Sequence, residues 1–252
     1  MNPRSISLVV AVALVGGAAA AQALPLGDNG SVELFVGGNA GVPGSFSVGS
    51  TRLVESAGGD IAYDRVHFDN AYDHRYTGGA EFDYAFDSRL SGFARASYAQ
   101  FNGEQHEVGT LFGDGGRVPV NAQFEDNSTR QFDLGARYMF TPEARFRPFV
   151  GLALGASDLS ATRAMIDDPA SGGATRVELA KGGTVFEQRL ETGVQFSPMP
   201  NFDLRLTAAA SHLGGQKASD DPNLALLGLA ASRSTIGTRW DYPAELGAVW
   251  HF

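Results

Sequence analysis

Along most of this chain the apolar residues fall at every second position, in segments of about ten residues that recur between polar stretches. Period two puts alternate side chains on opposite faces of a strand. Ten residues is about what a tilted strand needs to cross a hydrocarbon layer. In the last such segment Trp240, Tyr242, Ala244, Leu246, Ala248, Trp250 and Phe252 share one face, against Arg239, Asp241, Pro243, Glu245, Gly247, Val249 and His251. In the first, Val32, Leu34 and Val36 oppose Ser31, Glu33 and Asn39, with Phe35 as the one bulky apolar residue on the polar side. Six further segments, near 75–86, 90–98, 131–140, 145–154, 186–196 and 202–211, repeat the pattern. The reading is eight antiparallel strands.

The connections alternate in length. Short ones fall at Asp87-Ser88, Thr141 to Ala144 and Ser197 to Asn201, and long ones at roughly 43–74, 102–129, 157–184 and 213–238. Even strand number with alternating short and long links predicts an all-β, up-and-down transmembrane barrel with three periplasmic turns and four extracellular loops. Aromatics gather at the strand ends. Tyr84, Phe86, Tyr138, Phe140, Phe146, Phe196, Phe202, Trp250 and Phe252 lie beside the short turns or the C-terminus, and Tyr76, Tyr98, Phe186, Trp240 and Tyr242 beside the long loops. They would form the two girdles of a membrane barrel. A soluble antiparallel barrel or sandwich would turn the same apolar faces inward instead. A ten-stranded barrel would follow if Phe46 to Val54 and Ile61 to Phe68 formed another spanning hairpin, although neither carries the aromatic band of the other eight.

Residues 1–23 read as an export signal outside the fold: Arg4, an apolar run from Ile6 to Ala21, and an A-x-A site at Ala21-Gln22-Ala23. Residues 24–252 are then a single barrel domain. The chain has no cysteine, which excludes disulfides and thiolate metal sites. Its 28 acidic against 19 basic residues give a net charge of −9, which argues against nucleic acid as a partner. No cofactor motif is present, and His67, His74, His106 and His251 lack metal-ligand spacing.

Two stretches carry a resemblance. Residues 145–155 (RFRPFVGLALG) open a strand with a proline, an aromatic and spaced glycines, and residues 247–252 (GAVWHF) end the chain on alternating aromatics. Together with the strand pattern they resemble bacterial outer-membrane barrels of the opacity-protein and outer membrane protein A type, over essentially all of 24–252. The resemblance implies a bacterial outer-membrane location, contact with lipid and lipopolysaccharide, and recognition of Trp250 and Phe252 by the barrel-assembly machinery. It implies no particular activity. With the chain ending on the last strand, no appended peptidoglycan-binding domain is expected.

An eight-stranded barrel has an interior that side chains can fill. The inward set mixes signs: Glu33, Glu81, Asp83, Asp133, Glu187, Glu191, Asp203 and Glu245 against Arg95, Arg137, Arg147, Arg189 and Arg205. Buried charges must be paired or hydrated. The expectation is an ion-pair network that plugs the lumen, with a narrow path for small solutes as the alternative. The loops are acidic, without the spacing of a cation loop, and offer a surface for an extracellular partner. Gly113-Asp114-Gly115-Gly116, between 108–112 and 117–121, predicts a hairpin continuing above the membrane. Asn223 to Ser232 reads as a short apolar helix on the rim. A lipid A-modifying hydrolase would need a nucleophile beside the outward His212 and its outward neighbour Gln188. The residue two positions on is Gly214, and Ser211 points inward, so the chain is expected not to be an enzyme.

Overall fold

In the computed structural model the described residues are 29–39, 45–46, 54–56, 59–64, 66–113, 116–168, 172–226 and 237–252. The export signal read in 1–23 lies outside them. No helix among them is long and apolar enough to cross a membrane.

Eight long strands close on one another. They are β1 (Gly30–Asn39), β6 (Tyr72–Ala85), β7 (Leu90–Gly103), β10 (Asn127–Met139), β11 (Phe146–Leu159), β14 (Gly183–Met199), β15 (Phe202–Leu213) and β17 (Pro243–His251), the last extended by the short β16 (Arg239–Asp241). Each pairs antiparallel with its sequence neighbour in this set, and β1–β17 shuts the ring. Alternation then decides the chemistry of the two surfaces. Glu33, Glu81, Arg95, Asp133 and Glu245 are all less than 5% exposed, while the lipid-side Leu134, Leu152, Leu154, Phe146 and Leu206 are more than half exposed. A polar interior inside an apolar exterior is the inside-out pattern of a transmembrane barrel, and a soluble barrel would show the reverse.

The β6–β7 turn is held by the Asp87 carboxylate, which accepts the backbone N–H groups of Arg89 and Leu90 at 2.7 and 2.9 Å. Those bonds hold its carboxyl below the usual aspartate range.

The long loops fold. Above the barrel, β3 (Val54–Ser56), β4 (Gly59–Tyr63), β8 (Gln105–Gly113), β9 (Gly116–Phe124), β12 (Thr162–Asp168) and β13 (Gly173–Ala180) form a second sheet in the order β13-β12-β9-β8-β4-β3. The β8–β9 pair is the hairpin anticipated at Gly113–Gly116, with Gly116 at a φ of 108° that favours glycine. Of the segments weighed as an extra spanning hairpin, the described residues do not join the barrel: β4 pairs with β8, and β2 (Ser45–Phe46) pairs with β5 (Val66–His67). The rim helix shortens to α2 (Asn223–Leu226), whose Leu224 is buried; residues 227–232 of that expectation lie outside the described set.

Under this sheet sits an apolar core built from all four long loops and the strand ends, including Ile61, Val108, Val120, Phe124, Ile166, Leu179 and Leu224. The one-turn helix α1 (Phe68–Ala71) lowers Phe68 onto Tyr72, at 6.1 Å between ring centres, and Tyr72 in turn meets Phe101 at 6.0 Å. The outer mouth of the lumen is therefore stoppered by aromatic rings. At the surface Arg176 forks onto Glu125, tying loop three to loop two, and Arg163 pairs with Glu178 within loop three.

Candidate functional site: the charged lumen

The site is created by strand register. Glu33, Glu81 and Arg95 stand in one row across β1, β6 and β7, because Glu33 pairs with Glu81 and Glu81 with Arg95. Arg205 and Glu245 project from β15 and β17, and Arg137, Arg189 and Glu191 from β10 and β14. At the centre the carboxylates of Glu33, Glu81 and Asp83 lie within 4.8 Å of one another. Guanidinium groups fill that space. Arg205 reaches all three, with Glu81 at 2.7 Å. Arg137 binds Glu81 at 2.9 Å, Asp83 at 2.6 Å and Glu191 at 2.6 Å. Arg189 bridges Glu191 and Glu245, and Arg95 takes the other oxygen of Glu245 at 2.7 Å. Every arginine of this cluster thus serves at least two carboxylates, using the several donors of its planar head.

Toward the short-turn end Arg147, partly open to solvent, binds Asp203, which also meets Gln195 and His251. Toward the long-loop end Glu187 accepts from Gln131 and Ser157. Asp133 and Glu187 make no ion pair among the described residues. Both flank Gly155, and the Asp133 carboxylate rests in the notch that glycine leaves. Of the thirteen lumen charges anticipated, these two therefore stand outside the arginine network.

Sequence reasoning missed part of the site. Arg75 and Asp241 form a buried ion pair near the outer mouth, where Asn39 also donates to Asp241 at 2.7 Å. Arg239 lies over the rings of Phe68 and Phe101 at 5.2 and 5.5 Å. The signal was present, since all three charges fall on the inward face by alternation. Less visible were two inward aromatics besides Phe35. Phe93 and Phe149 enter the lumen, and Arg137 is sandwiched between them, 4.6 and 4.9 Å from the two ring centres. Arg95 stacks on Phe35 at 3.6 Å. A stacked, multiply hydrogen-bonded guanidinium is held as firmly as a buried side chain can be.

Each of these rings lies across a glycine on the next strand: Phe35 on Gly79, Phe93 on Gly135 and Phe149 on Gly193. A Cβ at position 135 would meet the Phe93 ring and the Leu152 carbonyl well inside contact distance. Gly135→Ala should therefore cost about 1–3 kcal/mol in urea unfolding of the folded barrel, the usual penalty for an overpacked core. An unchanged midpoint would mean that the rings are free to move aside.

The aromatic pair Trp250 and Phe252 lies at the end of the last strand. Trp250 faces outward and meets Phe202 edge-on at 5.6 Å, while Phe252 is half-buried and anchors its backbone N–H on the Gly30 carbonyl at 3.2 Å. On the opposite rim, His212 and Gln188 are cross-strand partners on the lipid side, with Ser211 buried inside.

No protein-family model and no curated protein sequence matches the chain. Among solved structures it is similar to Neisserial surface protein A, at 13% identity and a TM-score of 0.45 over 88% of this chain and 97% of that one. It is also similar to the N-terminal β-barrel domain of Pseudomonas aeruginosa OprF, at 14% identity and a TM-score of 0.38 over 89% and 98%. A third is the outer membrane enzyme PagL, at 15% identity and a TM-score of 0.42 over 86% and 97%.

Proposed function

We propose that this chain is a non-enzymatic barrel of the bacterial outer membrane, closed to solutes, whose loops form a rigid platform for contacts outside the cell. The observation that carries the reading is the outer core. Three loops contribute strands to one sheet over a shared apolar cluster, and that cluster rests on the aromatic stopper of the lumen. A preorganised surface loses little entropy when it binds. Loops that only closed a pore would not need a hydrophobic core of their own. The exposed Phe112 and Val118 near the tip of the β8–β9 hairpin offer a first contact for an extracellular partner. Lipid and lipopolysaccharide surround the wall, and Trp250 and Phe252 are the residues that the barrel-assembly machinery would read during insertion.

Two observations support a plugged, non-catalytic barrel. The central arginines bridge carboxylates of different strands across the lumen, and such a network occupies the space a solute would have to cross. On the lipid wall His212 has glycine, not a nucleophile, two residues on. Single-channel recording of the folded barrel in a planar bilayer is expected to be silent. Steady openings would make passive passage of small solutes the leading function. Overexpression should also leave the lipid A mass spectrum unchanged, and a new deacylated species would restore the enzyme reading.

A further inference from the structure

The lipid-facing wall has a hollow near its long-loop end, about 500 Å³ in volume. It exists because of side-chain size. Ala210 stands opposite Leu190 in the ladder, and Ala208 opposite Ala244 beside it, so the wall sinks between taller neighbours. Leu134, Leu152 and Leu154 raise one bank, and Trp240, stacked on Tyr242, raises the other. Arg189 lies in the floor with its guanidinium turned into the lumen, so the lipid-side lining carries no fixed charge.

At the outer end of this hollow are two polar side chains on a wall that is otherwise apolar. Gln188 and His212 are cross-strand partners, two residues short of the outer girdle at Phe186, and the His212 ring leans on Trp240 at 4.9 Å. Neither has a hydrogen-bond partner among the described residues. In hydrocarbon an unsatisfied amide or imidazole is costly. Just inside the girdle formed with Trp240, the register partner of His212, their placement suits an occupant that is apolar below and hydrogen-bonding above.

We infer that the hollow seats one acyl chain of an outer-leaflet lipid, with Gln188 and His212 hydrogen-bonding the ester or amide groups where the chain joins its head. Two points favour lipid over a protein partner. The hollow is continuous with the belt that already faces the bilayer, and its lining is largely aliphatic. An amide that can both donate and accept, beside an imidazole, suits carbonyl and N–H or hydroxyl groups. No lysine or arginine side chain enters the site from the lipid side, so a phosphate is not what it recognises. The seat binds a lipid without cleaving it, because no nucleophile accompanies His212 in the lining among the described residues. It depends on the barrel spanning a membrane and not on the surface role of the loops.

The test is native mass spectrometry of the folded barrel released from mixed micelles containing hexa-acylated lipid A. The wild type is expected to keep one lipid A under conditions that strip detergent. Ala210→Phe, which fills the hollow, should lower the retained fraction at least tenfold. Gln188→Leu with His212→Leu should lower it several-fold while leaving the hollow open. A heat-dependent shift on an unboiled gel checks that each variant is folded. If Ala210→Phe does not fold, Trp240→Ala, which removes one bank, takes its place. Equal retention by wild type and filled variant, or a wild-type barrel that emerges bare, overturns the proposal. A dimer abolished by Ala210→Phe also overturns it, and assigns the hollow to a second copy of the chain.

Discussion

Leucine at position 137 is expected to destabilise the barrel by about 3–5 kcal/mol, the cost of removing one partner from a buried ion pair. Arg137 is 2% exposed and holds Glu81, Asp83 and Glu191 at once. Its loss leaves three buried carboxylates sharing Arg205, Arg95 and Arg189, with fewer donors than they had. The measurement is urea unfolding of protein folded into lipid vesicles, followed by tryptophan fluorescence. Lysine at the same position keeps the charge but loses the fork and the stacking on Phe93 and Phe149, and should fall between wild type and leucine. A change below about 1 kcal/mol for leucine would place water among the carboxylates, and with it an open path. The same variant is therefore the one in which bilayer currents should first appear.

Arginine in place of Leu152 is expected to cost about 2–4 kcal/mol, the penalty for a cation on the lipid face at mid-depth. Leu152 is 65% exposed, midway along β11 between the girdle residue Phe146 and the outer core at Leu159. In a protein bathed by water, an exposed Leu→Arg change would stay within about 0.5 kcal/mol. The same vesicle unfolding assay therefore separates the two environments directly. A neutral result would remove lipid from this wall and overturn the membrane reading with it.

The barrel was legible because its information is local. Alternation along 131–140 or 202–211 states which side chains share a face, and link lengths state which strands are neighbours. The outer sheet was less legible. Its pairings, such as Asp60 with Phe112 or Met165 with Gln123, join loops far apart in sequence, and a loop's polarity does not reveal its partner. The β8–β9 hairpin, closed by its glycines, was read from one segment, while β3–β4 and β12–β13, equally local, lacked so plain a turn signal between alternating strands. Within the lumen the same division holds. Which charges point inward follows from parity, so Glu33 and Arg205 were on the right face, but that Arg205 meets Glu33 while Asp133 meets no arginine depends on closure of the ring. Phe93 and Phe149 were passed over because an inward phenylalanine breaks the polar-inside rule. What excuses them is the arginine stacked on each, and no single strand shows that pairing.

The three phenylalanine-on-glycine contacts fall where the chain has the least help in choosing a register. Tight turns align β6 with β7, β10 with β11 and β14 with β15, since a short link leaves the strands few ways to meet. The pairs β1–β6, β7–β10 and β11–β14 are joined only by long loops, and each of these three carries one ring-to-glycine contact. A slip of one residue would turn the phenylalanine out of the lumen. A slip of two would keep it inside but bring it opposite Thr77 or Glu81, Asp133 or Arg137, or Glu191 or Gln195, burying a polar side chain beneath a ring. Each of these three long-loop seams thus favours one alignment through contacts inside the lumen, independent of the loop that joins its strands.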